Sequence, residues 1–192
     1  MLQYNYGEEI NYNFELLKAT DYSKLRNFSC GNKKLDKFLH EDFIVNNKVI
    51  NEDGLFFKAF NVDTEEIIGI VSLASSGIVF VQTNYMKLLP AIKIDVFACD
   101  SKYQKLHFAE DSKISKDPDD HYYLSDDIMA KTIRHCSSIS ESYALVNYIL
   151  LYADKNAYRF YIRNGFRNFD EFMEKENNME INKNIPMYMK LS

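Results

Sequence analysis

The apolar pattern along the chain predicts an α/β protein, a mixed sheet flanked by helices. Three observations carry that expectation. Residues 91–99 alternate with period two and run into a polar loop, after which a helical pattern follows. Residues 143–153 form an apolar run rich in β-formers, and a second helical pattern then starts at Asp154 and stops at Gly165. Residues 55–61 and 67–74, joined by turn residues 62–65, read as a hairpin whose second strand is apolar nearly throughout and therefore central. No internal repeat, low-complexity tract or linker interrupts this order. A length of 192 residues suits a single domain spanning 1–192 with a full-sized core.

Taken in order, residues 1–12 are polar and rich in Tyr and Asn, a loosely held arm, and 13–19 read as a first strand. Thr20 or Asp21 is placed to cap a short helix reaching Phe28. Cys30-Gly31-Asn32 breaks it. Helical spacing resumes over 33–45, with Leu35, Phe38 and Leu39 at i, i+3 and i+4 and Phe43 and Ile44 continuing the apolar side. Gly69, inside the central strand, marks a bulge or a close backbone contact. Residues 75–90 read as irregular, with Pro90 marking where the next strand begins. In that strand Ile92, Ile94, Val96 and Ala98 point one way, and Lys93, Asp95, Phe97 and Cys99 the other. Residues 114–123 lack periodicity. Ser125 is a good N-cap, and Asp126 and Asp127 in the first turn suit the helix dipole. Ile128, Met129, Thr132, Ile133 and Cys136 mark one face of that helix to about Ser138, and 169–173 and 185–191 finish as strands.

The net charge of −5 is unevenly placed. Between Phe108 and Asp127 seven acids stand against two lysines, so this stretch, which contains an acidic insertion at about 110–124, accounts for the whole imbalance. Nucleic-acid binders carry a basic excess, which disfavours polyanionic partners, and the mildly basic stretch 18–48 reads as a solvated helix face. No apolar run approaches the ~20 residues that span a bilayer. The first six residues lack the basic and apolar regions of a signal peptide. Three cysteines, odd in number and without CxxC spacing, fit reduced thiols in the cytoplasm, and four histidines without ligand spacing predict no metal.

Chemistry concentrates in two places. A polar loop between a strand and a helix, here Asp100 to Phe108, offers backbone N–H groups to an anionic cofactor. Asp95 shares a strand face with Phe97 and Cys99; it is either a general base or half of a strand-face ion pair, with Lys93 or an arginine. Cys99 has no histidine near it in sequence and reads as a small packed residue. Further on, Ala157, Phe160, Tyr161 and Asn164 fall on one helical face before Gly165 supplies a left-handed stop.

The loop Tyr103-Gln104-Lys105-Leu106-His107-Phe108-Ala109, followed some fifty residues on by Ala157-Tyr158-Arg159-Phe160-Tyr161-Ile162-Arg163-Asn164-Gly165-Phe166, resembles the GCN5-related N-acetyltransferase (GNAT) family. Phe28-Ser29-Cys30-Gly31-Asn32-Lys33-Lys34-Leu35-Asp36-Lys37-Phe38-Leu39 is similar to the F-x-C-G-x-x-x-L-D-x-F-L opening of a branch that includes acetyltransferase toxins of toxin–antitoxin pairs. The resemblance implies the acyl-CoA N-acyltransferase fold, its sheet splayed between the strands at 91–99 and 144–153. It also implies acetyl transfer from acetyl-CoA to an amine by direct attack. In that pattern Gln104, Lys105, Leu106, His107, Phe108 and Ala109 hold the pyrophosphate, with His107 where the family has glycine. Ser125 and Phe160 complete the cofactor set. Backbone groups of Phe97, Ala98 and Cys99 serve the oxyanion, Tyr161 is the general acid and Asp95 the candidate base. Val96 replaces an arginine common in the toxin branch. The acceptor is left open among a small amine, a protein amino group and the aminoacyl end of a charged tRNA, as are a homodimer and an antitoxin partner. His107 and the acidic insertion, which reads as a surface excursion or a lid, motivate the alternative: a module of this fold without catalysis.

Overall fold

The computed structural model describes residues 10–42, 54–82, 85–108, 121–142, 146–169 and 183–191. Within them lie β1 (Tyr12–Leu16), α1 (Tyr22–Leu25), α2 (Lys33–Lys37), β2 (Leu55–Asn61), β3 (Ile67–Gln82), β4 (Tyr85–Cys99), α3 (Leu124–Ser142), β5 (Tyr148–Ala153), α4 (Tyr158–Arg163), β6 (Arg167–Asn168) and β7 (Ile185–Lys190). The strands form the expected mixed sheet, in the order β1-β2-β3-β4-β5-β7-β6. β1 and β2 are antiparallel, β4 and β5 parallel, and β7 antiparallel to both β5 and β6. The parallel pair needs a long crossover, which α3 supplies. The chain packs as two compact units, Met1–Ser72 with Val96–Lys131, and Leu73–Asp95 with Thr132–Ser192.

In the first unit Leu17, Leu25, Phe28, Leu39, Ile67, Ile70 and Ala98 form a buried cluster, flanked by Leu35, Phe38 and Val96. The motif at 28–39 has a physical basis here. Gly31 takes a left-handed φ of 81° that reverses the chain, and the Asn32 side chain caps α2 by accepting from the N–H groups of Lys34 and Leu35. The Asp36 carboxylate then reaches back, accepting from Cys30 N–H (2.8 Å), Cys30 Sγ–H (3.1 Å) and the Ser29 hydroxyl (2.9 Å). Burial opposes its ionisation, but these donors and Gly31 N–H outweigh burial and hold the carboxyl below its ordinary value. A carboxyl lowered on folding stabilises above its unfolded pKa, and that contribution fades as pH falls through the folded value. Asp36→Asn is therefore expected to cost about 1–3 kcal/mol at neutral pH and to flatten the acid side of the denaturation-midpoint profile; an unaltered acid limb would count against this role.

Gly69 is a close backbone contact, as expected: a Cβ there would lie 3.2 Å from the Ala98 carbonyl and 3.4 Å from Ile128 Cδ1. Two expectations are corrected. Residues 75–90 are not irregular, because β3 continues to Gln82 and β4 begins at Tyr85. The small polar run Ser75-Ser76-Gly77 imitates a turn, but at Gly77 a Cβ would meet Leu88 Cδ1 at 2.6 Å and the Leu89 carbonyl at 3.3 Å, so glycine admits the neighbouring strand. Nor does Pro90 start a strand. Pro90 lies inside β4, and its carbonyl accepts from Asn147 N–H (3.3 Å) one residue before the ladder to β5 opens at Ala91. The helical pattern predicted over 33–45 is an α-helical segment and then a π-helical turn, Phe38–Asp42, and its last residues, 43–45, lie outside the described residues. The expected strand at 169–173 falls on Phe169, which has left β6, and on residues outside the described set.

In the second unit β5 pairs along its whole length with β7, from Tyr148↔Lys190 to Ala153↔Ile185. Asp154 caps the following turn by accepting from Asn156 N–H (2.8 Å), and Gly165, at φ 88°, ends α4 as the sequence predicts.

Candidate active site

Asp100, at the end of β4 and almost fully buried, organises the loop after that strand. Its N–H donates to the Ile68 carbonyl (2.8 Å), and its carboxylate accepts from Ser29 N–H (3.1 Å) and Lys102 N–H (2.9 Å). Since Asp100 N–H faces β3, strand alternation directs the N–H groups of Phe97 and Cys99 away from β3, and that of Ala98 toward it. Gln104 does not extend from the loop. Its side-chain amide donates to the carbonyls of Cys30 and Cys99, each at 2.8 Å, and so ties the 28–39 turn to the end of β4. Cys99 is buried, and burial first, then Asp100, pushes its thiol up to about 12, which leaves little thiolate for nucleophilic work.

The loop closes on itself before the acidic insertion. Phe108 N–H donates to Tyr122 O (3.0 Å) and Leu124 N–H to Leu106 O (2.9 Å), with His107 opposite Tyr123 in a β-bridge. His107 is buried, its ring 4.9 Å from that of Tyr123 and 5.1 Å from that of His121; burial, then His121, lowers its pKa. The position held by glycine in the resembling pattern is thus a buried ring at the neck of the insertion. Ala109 and residues 110–120 lie outside the described residues. Ser125 is corrected as the N-cap. α3 starts at Leu124, one residue earlier, and Asp126 closes the turn by accepting from Tyr123 N–H (2.8 Å), because its longer reach suits the third helical position. Among the described residues, the N–H groups of Tyr103, Gln104, Leu106, Phe108, Leu124, Asp126 and Asp127 go to backbone carbonyls, whereas those of Lys105 and Ser125 have no such acceptor.

In the second unit the β4–β5 ladder runs from Ala91↔Tyr148 to Ile94↔Leu151 and stops, although β4 continues to Cys99 and β5 to Ala153. Asp95 is the first β4 residue past the ladder. It is the strand-face ion pair: Lys93 Nζ lies 2.6 Å from Asp95 Oδ1 and 5.2 Å from the centre of the Tyr152 ring, with about a third of each charged side chain exposed. Tyr161 sits on α4 with its ring edge-on to those of Phe160 (5.2 Å) and Phe166 (5.8 Å). It is 8% exposed, and burial, then Asp154, pushes its phenol above the ordinary value. Among the described residues every fully buried side-chain oxygen has a partner, and the Tyr161 hydroxyl has none. That hydroxyl is therefore the solvent-touching tip of a buried ring. Sequence reasoning missed a set of cations on and beside α4: Lys155 in the turn before it, Arg159 and Arg163 on it and Arg167 in β6 beyond, all but half-buried Arg163 exposed. The spacing alone could have found it.

No helix among the described residues is long and apolar enough to cross a membrane, and no group of three acidic, His or Cys side chains there could hold a metal ion. No protein-family model and no curated protein sequence matches the chain. Solved structures do. A bacterial toxin is similar at a TM-score of 0.70 and 18% identity, over 95% of this chain and 92% of that one. AtaTR bound with acetyl-CoA gives 0.69 and 16% over 94% of each chain, and AtaT complexed with acetyl-methionyl-tRNAfMet gives 0.65 and 16% over 94% and 95%. The PaiA N-acetyltransferase from Thermoplasma acidophilum, in complex with coenzyme A, gives 0.57 and 13% over 94% and 99%. At these identities the likeness concerns the backbone, and it covers nearly the whole of each chain: this protein has the fold of the GCN5-related N-acetyltransferases.

Proposed function

We propose that this protein is an N-acetyltransferase that moves the acetyl group of acetyl-CoA directly onto an amine. The observation that carries this reading is the ladder that ends at Ile94↔Leu151 while both strands continue, together with a buried Tyr161 whose hydroxyl has no acceptor. In the reaction the amine attacks the thioester carbonyl. N–H groups of Phe97 and Cys99 stabilise the oxyanion, with Ala98 holding the strand against β3. Asp95, once it parts from Lys93, takes the amine proton, directly or through water, and Tyr161 protonates the departing thiolate. The segment Gln104, Lys105, Leu106, His107, Phe108 and Ala109 carries the pyrophosphate; Lys105 and Ser125 contribute uncommitted N–H groups, and Phe160 lines the cofactor beside Tyr161.

The set Lys155, Arg159, Arg163 and Arg167 favours an acceptor attached to phosphates, such as the aminoacyl end of a charged tRNA, over a free small amine. AtaT's structure with an acetylated aminoacyl-tRNA supports that class. The competing reading, a module of this fold without catalysis, draws on the committed amides of the loop and on buried His107.

Titration with acetyl-CoA separates the two. A ligand that binds only the folded state raises the melting temperature progressively, adding about 2.7 kcal/mol of stability at a hundredfold excess over Kd. Absence of any shift at millimolar acetyl-CoA removes the enzymatic reading.

A further inference from the structure

The turn at 28–36 does more than reverse the chain. One set of contacts anchors it to the core of the first unit. Phe28 and Leu39 belong to the buried cluster, His40 Nε2 lies 2.6 Å from the Phe28 carbonyl oxygen, and Asp36 gathers Ser29 and Cys30. A second set bonds the turn to the loop after β4. Ser29 N–H donates to the Asp100 carboxylate (3.1 Å), and the Ser29 carbonyl accepts from Ser101 N–H (2.9 Å) and from the Ser101 hydroxyl (2.8 Å). The Gln104 carboxamide joins turn and strand, its nitrogen 2.8 Å from the carbonyl oxygen of Cys30 and 2.8 Å from that of Cys99. A primary amide carries two N–H donors, and both are engaged here.

Two donors of the proposed reaction lie beside these contacts. Gln104 N–H donates to the Asp100 carbonyl (3.1 Å) and Leu106 N–H to that of Tyr103 (3.2 Å), so the exposed residue between them, Lys105, is held from both sides. Its own N–H has no backbone acceptor, and the direction of that N–H follows from where Gln104 is fixed. The Cys99 carbonyl held by the same amide opens the peptide that follows Cys99, whose N–H faces the oxyanion. A thioester and a pyrophosphate joined by one arm must be met at one separation, and a misplacement of about 1 Å costs up to ~100-fold. We propose, resting on the acetyl-transfer reading, that Gln104 is a positioning residue: anchored on the 28–36 turn, it sets the spacing between Cys99 N–H and Lys105 N–H. That turn is thereby part of the acetyl-CoA site although the Gln104 side chain is engaged wholly within the protein.

Calorimetric titration of the full chain with acetyl-CoA, below the melting transition of each variant, tests this. Gln104→Met keeps length and volume, adds no charge and removes both donors. Its dissociation constant should rise about 10–100-fold, the equivalent of one hydrogen bond to a charged group. Gly31→Ala should act in the same direction from the turn, since a Cβ there meets nothing within 4 Å and adds only the strain of a positive φ. Lys58→Ala is the control for stability: it orphans the buried Asp21 carboxylate, 2.6 Å from Lys58 Nζ in the same unit, and should bind acetyl-CoA as wild type does. Equal weakening in Lys58→Ala would reduce the role to stability and overturn the proposal, as would Gln104→Met binding within about twofold of wild type. Those outcomes leave acetyl transfer standing, whereas a wild type that binds no acetyl-CoA removes the proposal together with the reading beneath it. Amide exchange on wild type needs no variant: saturation with acetyl-CoA should protect Cys30 and Gly31 along with Lys105. Protection confined to the loop would overturn the positioning role.

Discussion

Tyr161→Phe is expected to lower kcat for acetyl transfer by about 10²–10⁴-fold, the usual worth of a positioned acid, with little change in acetyl-CoA affinity. The expectation rests on the geometry of the ring. It is buried edge-on between Phe160 and Phe166, so phenylalanine refills the same volume and only the hydroxyl is lost. Burial holds the phenol above its ordinary pKa, so the protonated form persists through neutral and mildly alkaline pH. The wild-type rate should show no alkaline decline arising from this group below the ordinary tyrosine value of about 10. Steady-state kinetics on an identified acceptor, with acetyl-CoA affinity from calorimetry, checks both parts; unchanged kcat would take Tyr161 out of the acid role.

The largest expected effect on stability lies in the first unit. Lys58 and Asp21 are buried and paired, Nζ to Oδ1 at 2.6 Å, with Glu15 at 3.2 Å and the Phe60 ring centre 4.5 Å from the ammonium. Asp21 also accepts from Lys18 N–H (2.9 Å). Lys58→Ala leaves that carboxylate in a low-dielectric site without its cation, a loss of about 3–5 kcal/mol. This is a large share of the ~5–15 kcal/mol that holds a domain folded. Replacing both partners, as in Lys58→Met with Asp21→Asn, should return much of the loss, because the penalty comes from the orphaned charge more than from the missing attraction. Urea denaturation of the single and double variants measures the coupling. A Lys58→Ala variant within 1 kcal/mol of wild type would mean that water reaches the pair.

Much of the fold was legible because it depends on short-range regularities. The mixed sheet follows from the turn-linked apolar strands at 55–61 and 67–74 and the period-two pattern at 91–99, the helix stop from Gly165, and the break at 31 from a glycine that does adopt a positive φ. The errors came where composition and context disagree. Ser75-Ser76-Gly77 has the residues of a turn and the geometry of a strand, since glycine serves close approach as readily as reversal. Ser125 has the right chemistry for a cap, but Asp126 forms the cap contact one residue further on.

The alternation of strands and helices was legible in the residue order, which also supplied the motif residues from which the site was anticipated. Both are local, because helix and strand periods, caps and glycine stops act within a few positions of one another. Three-dimensional packing alone reveals that Gln104 spends its amide on Cys30 and Cys99, that His107 packs at the neck of the insertion, and that Lys58 lies buried against Asp21. Each of these depends on which distant segment occupies the space beside the side chain. Burial and partner identity set the free energy of a polar group, and neither is written in its neighbours along the chain.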